Sequence, residues 1–204
     1  MPTLLSVAYG MTSGCVDVPL GASPHLEAGR AQLLTALVGG FTSYYACCCG
    51  DTWASELGTL SSSTPRLITT LRPVRRGTNG GVTLLGLSAS LAGGLFVGAV
   101  CYAAAVVSPT LWILPTQQAA AIAQWRLLPL GLLAGLFGSL LDSVLGATLQ
   151  FTGFDPRTQR IVSRPGPDVL PISGLPFLTN NAVNLLSATV TAAAGAAVAL
   201  RIFP

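Results

Sequence analysis

The residue that costs most in this sequence is Asp142. It stands near the middle of an apolar run, Leu127 to Gln150, that holds no other charge. An ionised carboxylate at the centre of a bilayer costs at least ~2.5 kcal/mol even on the lenient insertion scale, so it must face protein, water or a cation. Gly135, Ser139, Asp142 and Gly146 follow i, i+4, i+7 and i+11. On a helix that spacing makes a small-residue stripe along which another helix can approach, with the acid on the seam. The carboxylate then serves either a buried structural hydrogen bond or a functional site.

Two further acids lie in Gly50-Asp51-Thr52-Trp53-Ala54-Ser55-Glu56-Leu57-Gly58, where another apolar run ends. The hard oxygens of Asp51 and Glu56 could hold Mg²⁺, with water and substrate phosphates completing its shell. An unbroken helix, however, sets positions 51 and 56 about 140° apart, whereas Asp51 and Ser55 share a face. Either the helix breaks near Asp51 or Glu56 serves a different partner. On spacing alone, an interfacial acid pair beside a belt tryptophan, Trp53, is the simpler account.

Arg72-Pro73-Val74-Arg75-Arg76-Gly77-Thr78-Asn79-Gly80-Gly81 comes next. Arg75 and Arg76 offer bidentate donors, and the backbone from Gly77 to Gly81 can close on an anion where the next helix starts. The order lacks the G-x4-G-K-[ST] of a P-loop, so a soluble nucleotide-binding fold is not indicated. As a bare pattern, Arg-Gly at a membrane border is equally a topology signal with a turn. Asn180, Asn184, Ser187 and Thr191 fall on one face of the last apolar run, with Asn181 beside them. Amides there can cap the helix, bind it to a neighbour, or hold ribose, phosphate or metal-bound water, and helix pairing is the default. Cys47, Cys48 and Cys49 are consecutive and His25 has no ligand-spaced partner, so neither a zinc site nor a disulfide framework is expected.

The elements that must position these groups are membrane helices. Only 8% of the 204 residues are charged and 51% are hydrophobic, against roughly a quarter charged in a soluble domain. The charges are ten Arg and seven acids with no Lys. A net +3 raises nucleic acid as a partner, but the arginines sit in short loops between apolar blocks, so no nucleic acid is expected and the bilayer is. Ala31 to Gly50, Val82 to Val107, Leu127 to Gln150 and Ala182 to Leu200 are long enough to cross. Pro2 to Val16 is too short and glycine-interrupted, and reads as a partial helix or surface segment. Ser108 to Gln118 is broken by prolines and glutamines. Pro165, Pro167, Pro171 and Pro176 predict an irregular loop before the last span.

Residues 1–204 thus form one all-α membrane domain, a bundle of about four transmembrane helices plus a partial N-terminal segment. Four crossings put the Asp51–Gly81 and Phe151–Asn181 loops on one side. Arg66, Arg72, Arg75, Arg76, Arg157, Arg160 and Arg164 lie there, against Arg30, Arg126 and Arg201 opposite. The positive-inside rule then turns the two long loops to the cytoplasmic or equivalent face.

Taken in order, Gly50 to Gly58, Gly77-Thr78-Asn79-Gly80-Gly81-Val82, Gly138-Ser139-Leu140-Leu141-Asp142-Ser143-Val144-Leu145-Gly146-Ala147 and Asn180-Asn181-Ala182-Val183-Asn184-Leu185 closely resemble the transmembrane protein 19 family, over roughly Ala31 to Leu200. That family includes the plant phytyl phosphate kinases of tocopherol salvage. Asp51 to Gly58 is also similar to the D-x-x-A-S-x-x-G segment of CTP-dependent dolichol and phytol kinases. The resemblance implies an integral membrane kinase making an isoprenyl diphosphate from a prenyl monophosphate and a nucleoside triphosphate, in the chloroplast envelope if the source is photosynthetic. It also gives a reason to join the clusters into one site. Asp51, Glu56 and Asp142 would be its acids, with Asp51 and Asp142 holding Mg²⁺. Arg75, Arg76, Gly77, Thr78, Asn79, Gly80 and Gly81 would take phosphate, and Asn181 and Asn184 would orient substrate.

Family members carry further helices and a Gln/Asn-Gly segment ahead of the matching region, so the resemblance implies a shortened chain. If those helices cover Asp142 and the asparagine face, the chain alone is expected to be inactive and poorly folded or self-associating. The alternatives from other classes are a transporter lined by Asp142 and the asparagine face, and a non-catalytic multi-pass scaffold.

Overall fold

The computed structural model describes residues 20–21, 27–107, 119 and 121–203. The expected N-terminal segment, His25 and the break over 108–118 lie outside the described residues. Four helices are long and apolar enough to cross a membrane, which makes this a multi-pass integral membrane protein. They are α1 (Ala28–Gly58), α2 (Leu84–Val107), α3 (Leu127–Leu149, entered through a 3-10 turn at Ala123–Arg126) and α4 (Asn180–Ile202). Each satisfies its own backbone, as hydrocarbon demands. Thr83 starts α2 by accepting the Gly86 N–H at 3.0 Å, and Thr179 caps α4 by accepting the Ala182 N–H at 3.4 Å. Both are N-cap hydroxyls at the head of an apolar run.

α1 runs unbroken past Asp51, two turns beyond the expected end of its span. Within that helix Asp51 is tied to α3, whose Ser139 hydroxyl donates to its Oδ1 at 3.1 Å. α1 packs on each of the other three helices, α2 packs on α3, α3 more lightly on α4, and α2 and α4 stand apart. The α2–α3 crossing is backbone against backbone. Gly94 and Gly98 face Gly131 and Gly135, and a Cβ on Gly135 would lie 2.6 Å from Gly94 Cα. Two G-x3-G pairs thus meet, the spacing that lets membrane helices approach most closely. Trp53 stacks on Phe96 of α2 with ring centroids 5.9 Å apart.

The loops are more ordered than expected. β1 (Arg66–Leu67) pairs antiparallel with β2 (Gly81–Val82). The proline-rich stretch, read as irregular, instead completes a three-stranded antiparallel sheet, in which β3 (Thr152–Asp155) lies between β4 (Arg160–Val162) and β5 (Leu170–Ser173). Pro171 is tolerated because β5 is an edge strand, where a missing N–H is harmless. The two long loops interlock at one end of the bundle, since the Asn79 N–H donates to Thr152 Oγ1 at 3.3 Å. Gly80, at φ +76°, seats the loop on α3 where a Cβ would lie 2.5 Å from the Ser143 carbonyl oxygen. At the opposite end, the Gly21 N–H donates to Thr35 Oγ1 at 2.9 Å.

Candidate functional site

Where the helices meet the interlocked loops they enclose a cavity of about 450 Å³. α1 contributes Asp51, Ser55 and Glu56, α3 contributes Ser139, Asp142 and Ser143, and α4 contributes Asn180 and Asn184. The loop from Arg76 to Gly81 closes the wall, with Thr83 at the start of α2. Residues placed far apart by the sequence, Asp51, Glu56, Arg76, Gly77, Thr78, Asn79, Gly80, Gly81, Asp142 and Asn184, therefore line one space. Asp51 and Glu56 share it despite lying on different sides of an unbroken helix. The cavity wraps round the last turns of α1, where Glu56 is exposed and Asp51 half-buried.

Two expected residues are elsewhere. Arg75 lays its guanidinium over the Phe154 ring, 3.9 Å from the centroid, a cation–π contact that ties the loop to β3. Asn181 is exposed and absent from the wall, because one residue turns a helix by about 100°. The amide in its place is Asn180, which shares a face with Asn184 at i, i+4. That signal was present in the sequence, as was Thr83 directly before an apolar run.

The Gly135 to Gly146 stripe meets three helices and a loop, not one helix. Gly135 faces Gly94 and Gly146 faces Asn79 and Gly80, while Ser139 holds Asp51. Asp142 Oδ2 accepts from Ser187 Oγ at 3.2 Å and from the Asn184 amide at 3.0 Å, in the amide orientation that also lets Asn184 donate to the Asn180 carbonyl at 3.1 Å. Asp142 thus finds two donors on the α4 polar face within the chain. Arg76 donates to the carbonyls of Thr59, at 3.1 Å, and Ser61, closing the C-terminal end of α1 as cations there do. Around the acids the field is mixed: α2 and α4 both begin at the cavity, so their positive dipole ends face it.

Over residues 1–192 the sequence matches the family described as integral membrane protein DUF92. The chain belongs to that family. It is 48% identical over 166 residues to Protein PGR of Arabidopsis thaliana, covering 81% of this chain and 56% of that protein. An uncharacterized membrane protein of Methanocaldococcus jannaschii is 32% identical over 114 residues, 56% of this chain and 41% of its own length. A third, an uncharacterized membrane protein of Synechocystis, is 35% identical over 119 residues, 58% of this chain and 39% of its own length. The chain therefore spans about half the length of the curated relatives it matches. No solved structure matches it.

In this DUF92 chain the donor set suits a hard cation bound with its ligand. Among the described residues no group of three or more His, Cys, Asp or Glu side chains could hold a metal by itself. Mg²⁺ does not require one, since one or two carboxylates with waters and phosphate oxygens suffice. Asp51 and Asp142 line the same cavity from α1 and α3. Each is positioned through one oxygen by neutral donors, and neither is in an ion pair, the one such pair among the described residues being Arg157–Asp168 at the surface. Two carboxyl groups thus line one cavity beside a glycine-rich loop.

Proposed function

We propose that the chain forms the membrane-embedded core of a prenyl phosphate kinase, which transfers the terminal phosphoryl group of a nucleoside triphosphate to an isoprenyl, phytyl-like monophosphate. The observation that carries this reading is the single cavity in which Asp51, Glu56 and Asp142 meet Arg76, the Gly77–Gly81 loop and Asn184. Asp51 and Asp142 would hold Mg²⁺, which when bound neutralises phosphate charge. The backbone of Gly77 to Gly81 and the Arg76 donors not bonded to carbonyls take phosphate oxygens; a guanidinium has five N–H groups, so two such bonds leave others free. Asn180 and Asn184 orient the acceptor. An oxygen of the prenyl phosphate attacks the terminal phosphorus, the bond to the bridging oxygen breaks, and the nucleoside diphosphate leaves. Positioning and charge neutralisation are what such transfer needs, and the acceptor is already anionic at neutral pH, so neither a protein nucleophile nor a strong base is required.

The arginine balance turns the cavity to the cytoplasmic or equivalent face. The plant relative is consistent with a photosynthetic origin, for which the location proposed is the chloroplast envelope. Cysteine labels at Ser62 and Thr158, in a form with the native cysteines replaced, are expected to react from one face and a label at Gln118 from the other. The deciding assay incubates membranes bearing the chain, alone and fused to the preceding helices of a longer relative, with phytyl, geranylgeranyl and farnesyl monophosphates and each nucleoside triphosphate. Mg²⁺-dependent prenyl diphosphate is the expected product. Substrate-driven flux without product would mean a transporter, and neither would mean a scaffold.

A further inference from the structure

The α1–α4 interface changes along its length. Away from the cavity the helices meet through small residues, with Gly39 against Gly195 and Ala199, and Gly40 against Ala192. Then come Cys47 on α1 and Ser187 and Thr191 on α4, all buried. On α4, Leu185, Ala192 and Ala199 are spaced by seven and share a face. Ala192 and Ala199 are 3% and 0% exposed, but Leu185 is 57% exposed. On α1, Cys48, Thr52 and Ser55 are exposed too. The two helices therefore diverge beyond Cys47 and Ser187, and the gap leads into the cavity, whose wall includes Thr52, Ser55 and Asn184. On the other flank α1 and α2 are shut, because a Cβ on Gly86 would lie 3.2 Å from the Ala54 carbonyl oxygen.

A gap between membrane helices that is polar inside and borders apolar side chains fits a molecule with a charged head and an apolar tail. Deepening the kinase reading on which it rests, we infer that the acceptor enters sideways from the lipid between α1 and α4. Its phosphate lies in the cavity and its tail passes over Cys48 and Leu185. Asn181, which is not in the cavity wall, stands one turn before Leu185 on this flank.

The test photolabels the 204-residue chain in liposomes with farnesyl monophosphate carrying a diazirine at the far end of its tail. Adducts around Cys48 and Leu185, competed by unlabelled farnesyl monophosphate, are expected. Adducts confined to α2 and α3, or none that compete, overturn the inference. Leu185→Trp and, from the opposite wall, Cys48→Trp should each lower competed labelling about tenfold, while Leu186→Trp, turned about 100° away, leaves it within about twofold. Labelling needs no turnover, so the two readings separate. Competed adducts in the gap without phosphorylation by any form keep the lateral entry and refute the kinase. Phosphorylation of farnesyl monophosphate that Leu185→Trp and Cys48→Trp leave unchanged refutes the lateral entry alone.

Discussion

The α2–α3 crossing and the α1–α4 pair are both built from small residues, yet they do opposite things. Gly94, Gly98, Gly131 and Gly135 bring two backbones together with no side chain between them. Where α1 and α4 meet, Gly40 lies against the Ala192 backbone, while Gly39 and Gly195 make room for the small side chains of Ala199 and Ser43, over half the interface. Then the small apolar residues give way to Asp51, Ser55, Asn180 and Asn184, and the helices part around a cavity. The lesson is that close packing in lipid comes from removing side chains, whereas a site requires polar groups that hold helices apart and satisfy one another. Asp142 joins the two regimes, since its helix is clamped to α2 on one side and hydrogen-bonded to α4 on the other.

The largest effect is expected at the clamp. Gly135→Leu places a side chain into the backbone of Gly94, and overpacking that neither helix can relieve costs ~3 kcal/mol or more. The protein should be recovered as aggregate on size exclusion in detergent. Gly29→Leu, with nothing within 4 Å of its Cβ position, should behave as wild type. A monodisperse Gly135→Leu protein would show that the crossing is not what holds the bundle.

The cavity should respond in the opposite way, losing activity and not fold. Asp51→Asn and Asp142→Asn keep shape and a hydrogen-bond acceptor for Ser139 and Ser187 but remove the charge that would hold the cation. Each is expected to lower turnover at least ~100-fold, as loss of a charge-stabilising group does, with membrane insertion and size-exclusion profile unchanged. Normal turnover in either removes that residue from the site.

This division was partly legible in the sequence. Four spans stand out because twenty uncharged residues have few fates outside a membrane, and the acids stand out because lipid makes them expensive. The asparagine face of α4 is visible as i, i+4, i+7 spacing, which includes Asn180 and leaves out Asn181, the residue that the resemblance implies for substrate. Strands of two to four residues such as β1 and β5 are too short for periodicity to register, and Pro171 masks an edge strand as a loop. Nor can spacing along one chain say that Arg75 reaches Phe154 while Arg76 reaches Thr59, because both partners lie on elements placed only by tertiary packing. The Gly135 stripe announced close approach but not how many neighbours would share it.

That pair of arginines offers a finer probe of the cavity end. Arg76→Ala removes a guanidinium from the cavity wall along with its bonds to Thr59 and Ser61. It should raise KM for nucleotide or prenyl phosphate several-fold and cost roughly 1 kcal/mol of stability per lost bond. Arg75→Ala removes only the stack on Phe154, worth about 0.5–1 kcal/mol at an exposed site, and should leave KM unchanged. Equal kinetic effects from the two would mean that the loop acts through its rigidity and not through a phosphate contact.

The smallest effect is expected where neither clamp nor cavity is involved, in the turn between β3 and β4. The Asp155 carboxylate accepts from Thr158 Oγ1 at 2.8 Å and from the Arg157 N–H at 2.8 Å. Chiefly the Thr158 hydroxyl, then the Arg157 N–H, holds this carboxyl below its ordinary range. A group whose pKa is lowered by folding stabilises the folded form above its unfolded value, near ~4, and that contribution is lost as pH falls through the folded value. Amide exchange at Arg157 and Thr158, corrected for its intrinsic rate, should therefore stay flat from neutral pH down to that range and rise only below it. Asp155→Ala should exchange faster throughout, without changing turnover, because the turn itself is not part of the cavity wall and reaches it only through β3, by the Arg75–Phe154 stack and the Asn79–Thr152 bond. A turn that opens near neutral pH, or an Asp155→Ala protein with altered KM, would extend the functional end of the molecule into the sheet and move the boundary drawn between the two regions.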